Sequence, residues 1–167
     1  GVALRNAGIT LPIMVMSPEE NNYYFLFRHN LEPEIYSFDT LAKLIDNIKQ
    51  YSSLIDFKVR IHIKFDSGMH RLGFTAKEQE QLFSILKEHN TIIQVASVFS
   101  HFTSADDASE DSFTEKQLAD FLKFSDSLEN SIGYNVIKHI SNTAGIIRFP
   151  HAHLDMVRIG IGMYGID

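Results

Sequence analysis

The 167-residue chain is long enough for one domain with a real core and too short for two ordinary ones. Its formal net charge of −6 comes without a basic stripe interleaved with aromatics, which argues against a nucleic-acid partner. No apolar run approaches the roughly 20 residues of a membrane span, and no basic-then-apolar leader opens the sequence. With no cysteine there is neither a disulfide framework nor a thiolate metal site, which suits the cytoplasm. The chain opens on Gly1 and stops two residues after Gly165, so both ends read as cuts through a longer protein.

In chain order, residues 11–16 read as a strand and 18–31 as a helix led by acidic residues that suit a helix N-terminus. Residues 34–38 read as a second strand, and 39–48 as a helix with Leu41, Leu44 and Ile45 on one face. A third strand covers 58–65. The run Thr75-Ala76-Lys77-Glu78 has the form of a capping box ahead of Leu82, Phe83 and Leu86. A fourth strand covers 92–99, and Ser112-Phe113-Thr114-Glu115 repeats the capping-box form before Leu118, Phe121 and Leu122. Strands at 136–141 and 156–161 complete about six βα units. Strands alternating with helices predict a parallel sheet with helical crossovers. An open doubly wound sheet is complete with five or six strands, whereas a closed (β/α)8 barrel needs eight and about 250 residues. Length favours the open sheet for a complete chain and the barrel for a piece of a longer one.

Four segments hold the candidate chemistry. Lys64-Phe65-Asp66-Ser67-Gly68-Met69-His70-Arg71-Leu72-Gly73 crowds charge where a parallel strand delivers side chains to an active face. Lys64 lies within the strand itself, among Ile61, Ile63 and Phe65, and needs a polar partner there, through Asp66 or a water. Ser100-His101-Phe102-Thr103-Ser104-Ala105-Asp106 puts a histidine at a strand end, able to stack on or donate to a planar ligand. His139-Ile140-Ser141-Asn142-Thr143-Ala144-Gly145 offers a hydroxyl and small residues where a phosphate is commonly held, though Ser-Asn-Thr is also ordinary turn chemistry. The last segment contains Gly160-x-Gly162-x-x-Gly165. That is dinucleotide-binding spacing, but it follows no first strand and opens no long helix, so the dinucleotide reading fails. His151 and His153 lack a third nearby ligand, so no metal site is expected there.

In this order the four segments resemble the signature blocks of the alanine racemase family. Lys64 to Gly73 meets Lys-x-Asp-Thr/Ser-Gly-Met-x-Arg-Leu-Gly, and Ser100 to Asp106 meets Ser/Thr-His-Phe-x-x-Ala-Asp. Asn142-Thr143-Ala144 stands where the family has Asn-Ser-Ala, and Met156 to Gly165 meets Met-Val-Arg-x-Gly-Ile-x-Met-Tyr-Gly. The opening Gly8 to Ile13 resembles the family's third barrel strand. The resemblance implies an α/β fold, a partial (β/α)8 TIM barrel that spans residues 1–167 and binds pyridoxal 5'-phosphate (PLP) at its C-terminal face. Arg158 would face the pyridine nitrogen, its fixed charge keeping that nitrogen unprotonated and the electron sink weak. Arg71 would bond the ring hydroxyl, while His101 would sit against the ring and support Arg158. Thr143, with the amides of Gly160 and Ile161, would hold the phosphate, and Asn142 and Met16 would line the pocket. Lys64 falls at a position often carbamylated in the family, where the carbamate would pair with Arg71.

The resemblance also implies what these residues do not supply. The family's cofactor-bearing lysine precedes this segment, and its second base is a tyrosine from the partner subunit of a homodimer. Racemisation by two bases needs groups on opposite faces of the substrate carbon. The chain alone is therefore expected to be inactive, as part of a protein interconverting L- and D-alanine. A related PLP barrel racemase for another amino acid and a non-catalytic PLP-binding barrel are the alternatives.

Overall fold

The computed structural model describes residues 1–19 and 22–166. In chain order they form α1 (Val2–Asn6), β1 (Met14–Val15), α2 (Tyr23–Arg28), β2 (Glu32–Ile35), α3 (Phe38–Gln50), β3 (Val59–Lys64), α4 (Gln79–Glu88), β4 (Ile93–Phe99), α5 (Asp111–Ile132), β5 (Ile137–His139) and α6 (Thr143–Arg148). The strands make one sheet in the order β1-β2-β3-β4-β5, each parallel to its neighbour. A doubly wound sheet reverses its strand order at a switch point. Here spatial order equals chain order, as in the wall of a (β/α) barrel. The sheet is five strands of such a barrel.

Residues 156–161 are not the sixth strand that their apolar composition predicts. Among the described residues only two backbone bonds join this stretch to β5 and its exit, Asp155 N–H, just before the segment, to the Lys138 carbonyl and Arg158 N–H to that of Ser141, past the strand's end. Those bonds are too sparse for a ladder, and the chain then turns at Ile161–Tyr164 in a 3-10 turn. Other boundaries also move, the first strand shrinking to Met14–Val15 and the fifth to Ile137–His139. Of the predicted helix at 18–31, α2 forms only six residues, and Glu20 and Asn21 lie outside the described residues. The second strand ends at Ile35 because Ser37 caps α3, its side chain accepting from Thr40 N–H. The capping box at Thr75 forms, with Glu78 accepting from the Thr75 amide and hydroxyl. The one expected at Ser112 does not. Asp107 instead caps a short 3-10 turn leading into α5.

Strand periodicity puts alternate side chains on opposite faces. On β3, Val59, Ile61 and Ile63 join a core with Leu44 of α3, Leu82 of α4 and Phe121 and Phe124 of α5. Arg60, His62 and Lys64 therefore face the other side, the barrel interior. Between β3 and β4 the register slips: Ile61 pairs with Val95, but His62 pairs with Ser97. The extra residue, Ala96, is a bulge that reverses the parity of β4. Before it Ile93 and Val95 pack in the core; after it Val98 does. Ser97 and Phe99 are thereby turned into the interior beside His62 and Lys64.

Candidate functional site

The interior face carries a cluster of buried polar groups from neighbouring strands. Glu32 and Glu34 come from β2, His62 and Lys64 from β3, Ser97 from β4 and His139 from β5, all removed from water. Phe99 lies at their centre. The His139 ring stacks on it at 5.1 Å with planes 4° apart, and the cations of Lys64 and Arg158 approach it to 5.5 and 5.2 Å, close enough for cation–π attraction. The Lys64 ammonium finds its counter-charge in Glu34, 3.2 Å away, and not in Asp66. The Asp66 carboxylate instead closes its own loop, accepting from the amides of Gly68 and His70. Glu34 is pinned from the other side by Ser17 N–H, 2.8 Å from Oε2.

The loop after β3 returns on itself through Phe74 N–H to the Lys64 carbonyl and Asp66 N–H to the Phe74 carbonyl, both 2.9 Å. Gly73 sits inside that return with φ +129°, where a Cβ would lie 2.7 Å from Asp66 N; only glycine fits. Gln117 of α5, fully buried, ties this loop to the next. Its amide donates to Ser67 Oγ, the His101 carbonyl and Thr103 Oγ1, and its oxygen accepts from Thr103 N–H. One helix side chain thus fixes both loops at the sheet's C-terminal edge.

A cavity of about 530 Å³ opens beyond the ends of β4 and β5. Six of the eight residues expected to bind cofactor line it: His101, Asn142, Thr143, Arg158, Gly160 and Ile161. Asn142 caps α6 by accepting from Gly145 N–H, and its amide donates to the Phe102 carbonyl. The Thr143 hydroxyl oxygen accepts from two backbone amides, Gly160 N–H at 3.0 Å and Gly162 N–H at 3.2 Å. A Cβ on Gly162 would lie 2.7 Å from Thr143 Cγ2, so the glycine permits this close approach. Two of the eight lie elsewhere. Met16 is half exposed just past β1, and Arg71 is exposed on the β3 loop, outside the cavity lining.

Arg158 is the most constrained group here. Its guanidinium donates to His139 Nδ1 and to the carbonyls of Ser100, His139 and Ile140. The imidazole that supports it is His139, not His101. Burial lowers the Arg158 pKa to about 10, against an opposing pull from Glu34, so it stays protonated at neutral pH. His139 is pushed down to about 2 by burial and then by the Arg158 charge. His101 falls to about 4, through burial and then the nearby charges of Arg158, Arg71 and Lys64. Both rings are neutral at pH 7. His139 was legible as a histidine at a strand's end, and its parity, opposite to that of the core residues Val136 and Ile140, marks it as interior. His151 and His153 go separate ways, one to Glu115 and the other to the Ile146 carbonyl.

Residues 1–167 match the family model described as "Alanine racemase, N-terminal domain". The chain belongs to the alanine racemase N-terminal domain family. It is 39% identical over 166 residues to alanine racemase 1 of Oceanobacillus iheyensis, covering 98% of this chain and 42% of that protein. With the alanine racemase of Clostridium tetani it shares 36% over 168 residues, 98% of this chain and 41% of that one. Among solved structures, the alanine racemase of Clostridium difficile 630 superimposes with a TM-score of 0.85 at 31% identity, over 99% of this chain and 42% of that one. The Bacillus anthracis alanine racemase with bound L-Ala-P gives 0.81 at 30%, with the same coverage. The chain thus spans about two fifths of the length of these relatives.

Proposed function

We propose that residues 1–167 are part of a single PLP-binding TIM-barrel domain in an alanine racemase that interconverts L- and D-alanine. The observation that carries this reading is the convergence of His101, Asn142, Thr143, Arg158, Gly160 and Ile161 on one cavity. The donor set fits a phosphorylated, planar, electron-poor ring. Two backbone N–H groups already converge on one oxygen, that of Thr143, as they would on an oxygen of a phosphate. A half-buried guanidinium held by neutral acceptors stands ready for a ring nitrogen's lone pair.

Bound PLP would supply the electron sink that lets an amino acid lose its α proton. Thr143, Gly160 and Ile161 would hold its phosphate, and Arg158 would keep a positive charge at the ring nitrogen, which then stays unprotonated. His101 and Asn142 would bound the ring, with Met16 and Arg71 closing from neighbouring strand ends. The cofactor lysine and the second base are assigned to sequence outside this chain. The whole protein is proposed to act as a cytoplasmic homodimer supplying D-alanine for peptidoglycan. The test is PLP titration of the full-length protein by absorbance, alongside racemisation of L-alanine followed by polarimetry. We expect saturable binding, weakened roughly 10- to 100-fold in Thr143→Ala, the loss typical of a hydrogen bond to a charged group. Tight binding unaffected by T143A, or no turnover of alanine by PLP-loaded protein, would overturn the reading.

A further inference from the structure

The buried polar groups of the barrel interior form a chain whose proton positions are dictated from one end. A guanidinium has only donors. The Arg158 Nη1–H that reaches His139 Nδ1 therefore requires that nitrogen to carry a lone pair. The neutral ring then holds its proton on Nε2, 3.0 Å from Ser97 Oγ, and donates there. Ser97 passes its own proton to His62 Nδ1 at 2.6 Å. That leaves the His62 proton on Nε2, 3.0 Å from Glu32 Oε2. This last link is short but bent, the N–H not aimed squarely at the oxygen. Glu32 Oε1 accepts from Arg60 Nε at 2.9 Å.

We propose that Glu32 is a positioning residue for Arg158, acting through His62, Ser97 and His139 in a hydrogen-bond chain whose protons all point from the guanidinium toward the carboxylate. His139, Ser97, Glu32 and His62 are 0, 1, 4 and 7% exposed. A reversed link would set donor against donor with no water to relieve it. The competing arrangement, a charged His62 donating to Ser97, would leave the Ser97 hydroxyl proton without an acceptor, since its oxygen would already receive from both rings. Burial works against the Glu32 charge, yet the bonds from His62 and Arg60 outweigh it and lower its pKa. The chain thus ends on a carboxylate.

This arrangement separates two jobs. Direct pairing with a carboxylate would hold Arg158 but neutralise it. Here the acceptors that touch the guanidinium are an imidazole nitrogen and backbone carbonyls, and the anion that orders them stands three side chains away. The consequence for chemistry rests on the PLP reading, in which Arg158 faces the cofactor ring. The ordering itself does not.

The experiment is side-chain 15N NMR of the full-length protein without cofactor. At pH 8, His62 and His139 should each show one protonated Nε2 and one unprotonated Nδ1, and His139 should remain so at pH 5. Ser97→Ala should leave the His139 tautomer set by Arg158, release that of His62, and speed exchange of the Arg158 guanidinium protons roughly tenfold, the effect of losing one hydrogen bond. Ser97→Thr keeps the hydroxyl and should restore both. Glu32→Gln, which removes the terminal anion but keeps an acceptor, should speed Arg158 exchange in the same direction without changing the His62 tautomer. An imidazolium at His62, or an Nδ1–H at His139, in the unaltered protein overturns the proposal, as does unchanged Arg158 exchange in folded S97A. If this chain holds while PLP does not bind, the cofactor reading alone fails.

Discussion

A lysine inside a sheet keeps its charge only where something answers it, and for Lys64 the answer comes from Glu34 on the neighbouring strand. The family resemblance marks Lys64 as a position for carbamylation, which turns the ammonium into an anion. Here that product would lie against the Glu34 carboxylate, 3.2 Å from the nitrogen and itself 0% exposed. Two anions in one dry site repel strongly and lose hydration together. Arg71, the cation expected to answer a carbamate, is exposed on its loop. The expected outcome is that Lys64 remains an ammonium. Carbon-13 NMR in labelled bicarbonate should give no carbamate signal at Lys64 in the unaltered protein and should give one in Glu34→Gln, where the competing anion is gone. A carbamate on the unaltered protein would sink the idea.

At the scale of elements, the bulge at Ala96 decides what the site contains, because it alone turns Ser97 and Phe99 inward. The sequence carried a sign of it: Ile93, Val95 and Val98 cannot all face one side of a regular strand. The bulge also disturbs the ladder. The Val95 amide, next to the slip, donates to Tyr134 Oη at 2.9 Å, from the segment between α5 and β5. Tyr134→Phe keeps the ring and removes the acceptor, leaving a part-buried N–H without its partner. Urea denaturation should show a loss of about 1–3 kcal/mol. A loss under about 0.5 kcal/mol would mean that the bulge holds itself open without this bond. Reading 156–161 as a strand failed for a related reason. Alternating apolar residues make a strand only where a ladder receives them, and Ile159 and Ile161 remain exposed.

For the whole molecule, legibility divided between what is local and what is assembled. The four signature blocks are contiguous runs, so the cavity residues could be read directly, and the alternation of strands and helices announced the parallel sheet. The interior chain could not be read that way, since Glu32, His62, Ser97 and His139 come from four strands and meet only through register. Half of its signal was nevertheless present in the alternation of Arg60, His62 and Lys64 with Val59, Ile61 and Ile63. That interior also sets the response of the fold to acid. The His139 pKa is lowered to about 2 in the folded chain, first by burial and then by Arg158, against about 6.5 for an unperturbed histidine. Between those values the unfolded chain binds a proton that the native interior excludes, so the contribution of His139 is fully present above pH 6.5 and is lost as pH falls. The slope is about 1.4 kcal/mol per pH unit for this one group. His101, lowered to about 4 chiefly by burial, acts in the same direction between pH 6.5 and 4. Urea midpoints measured at pH 7, 6 and 5 should therefore decline steadily. In His139→Asn, whose amide does not titrate, stability at pH 7 should be lower but the decline shallower by about that slope. An identical decline in both proteins would show that His139 takes up its proton without cost, and that the interior chain does not hold it neutral.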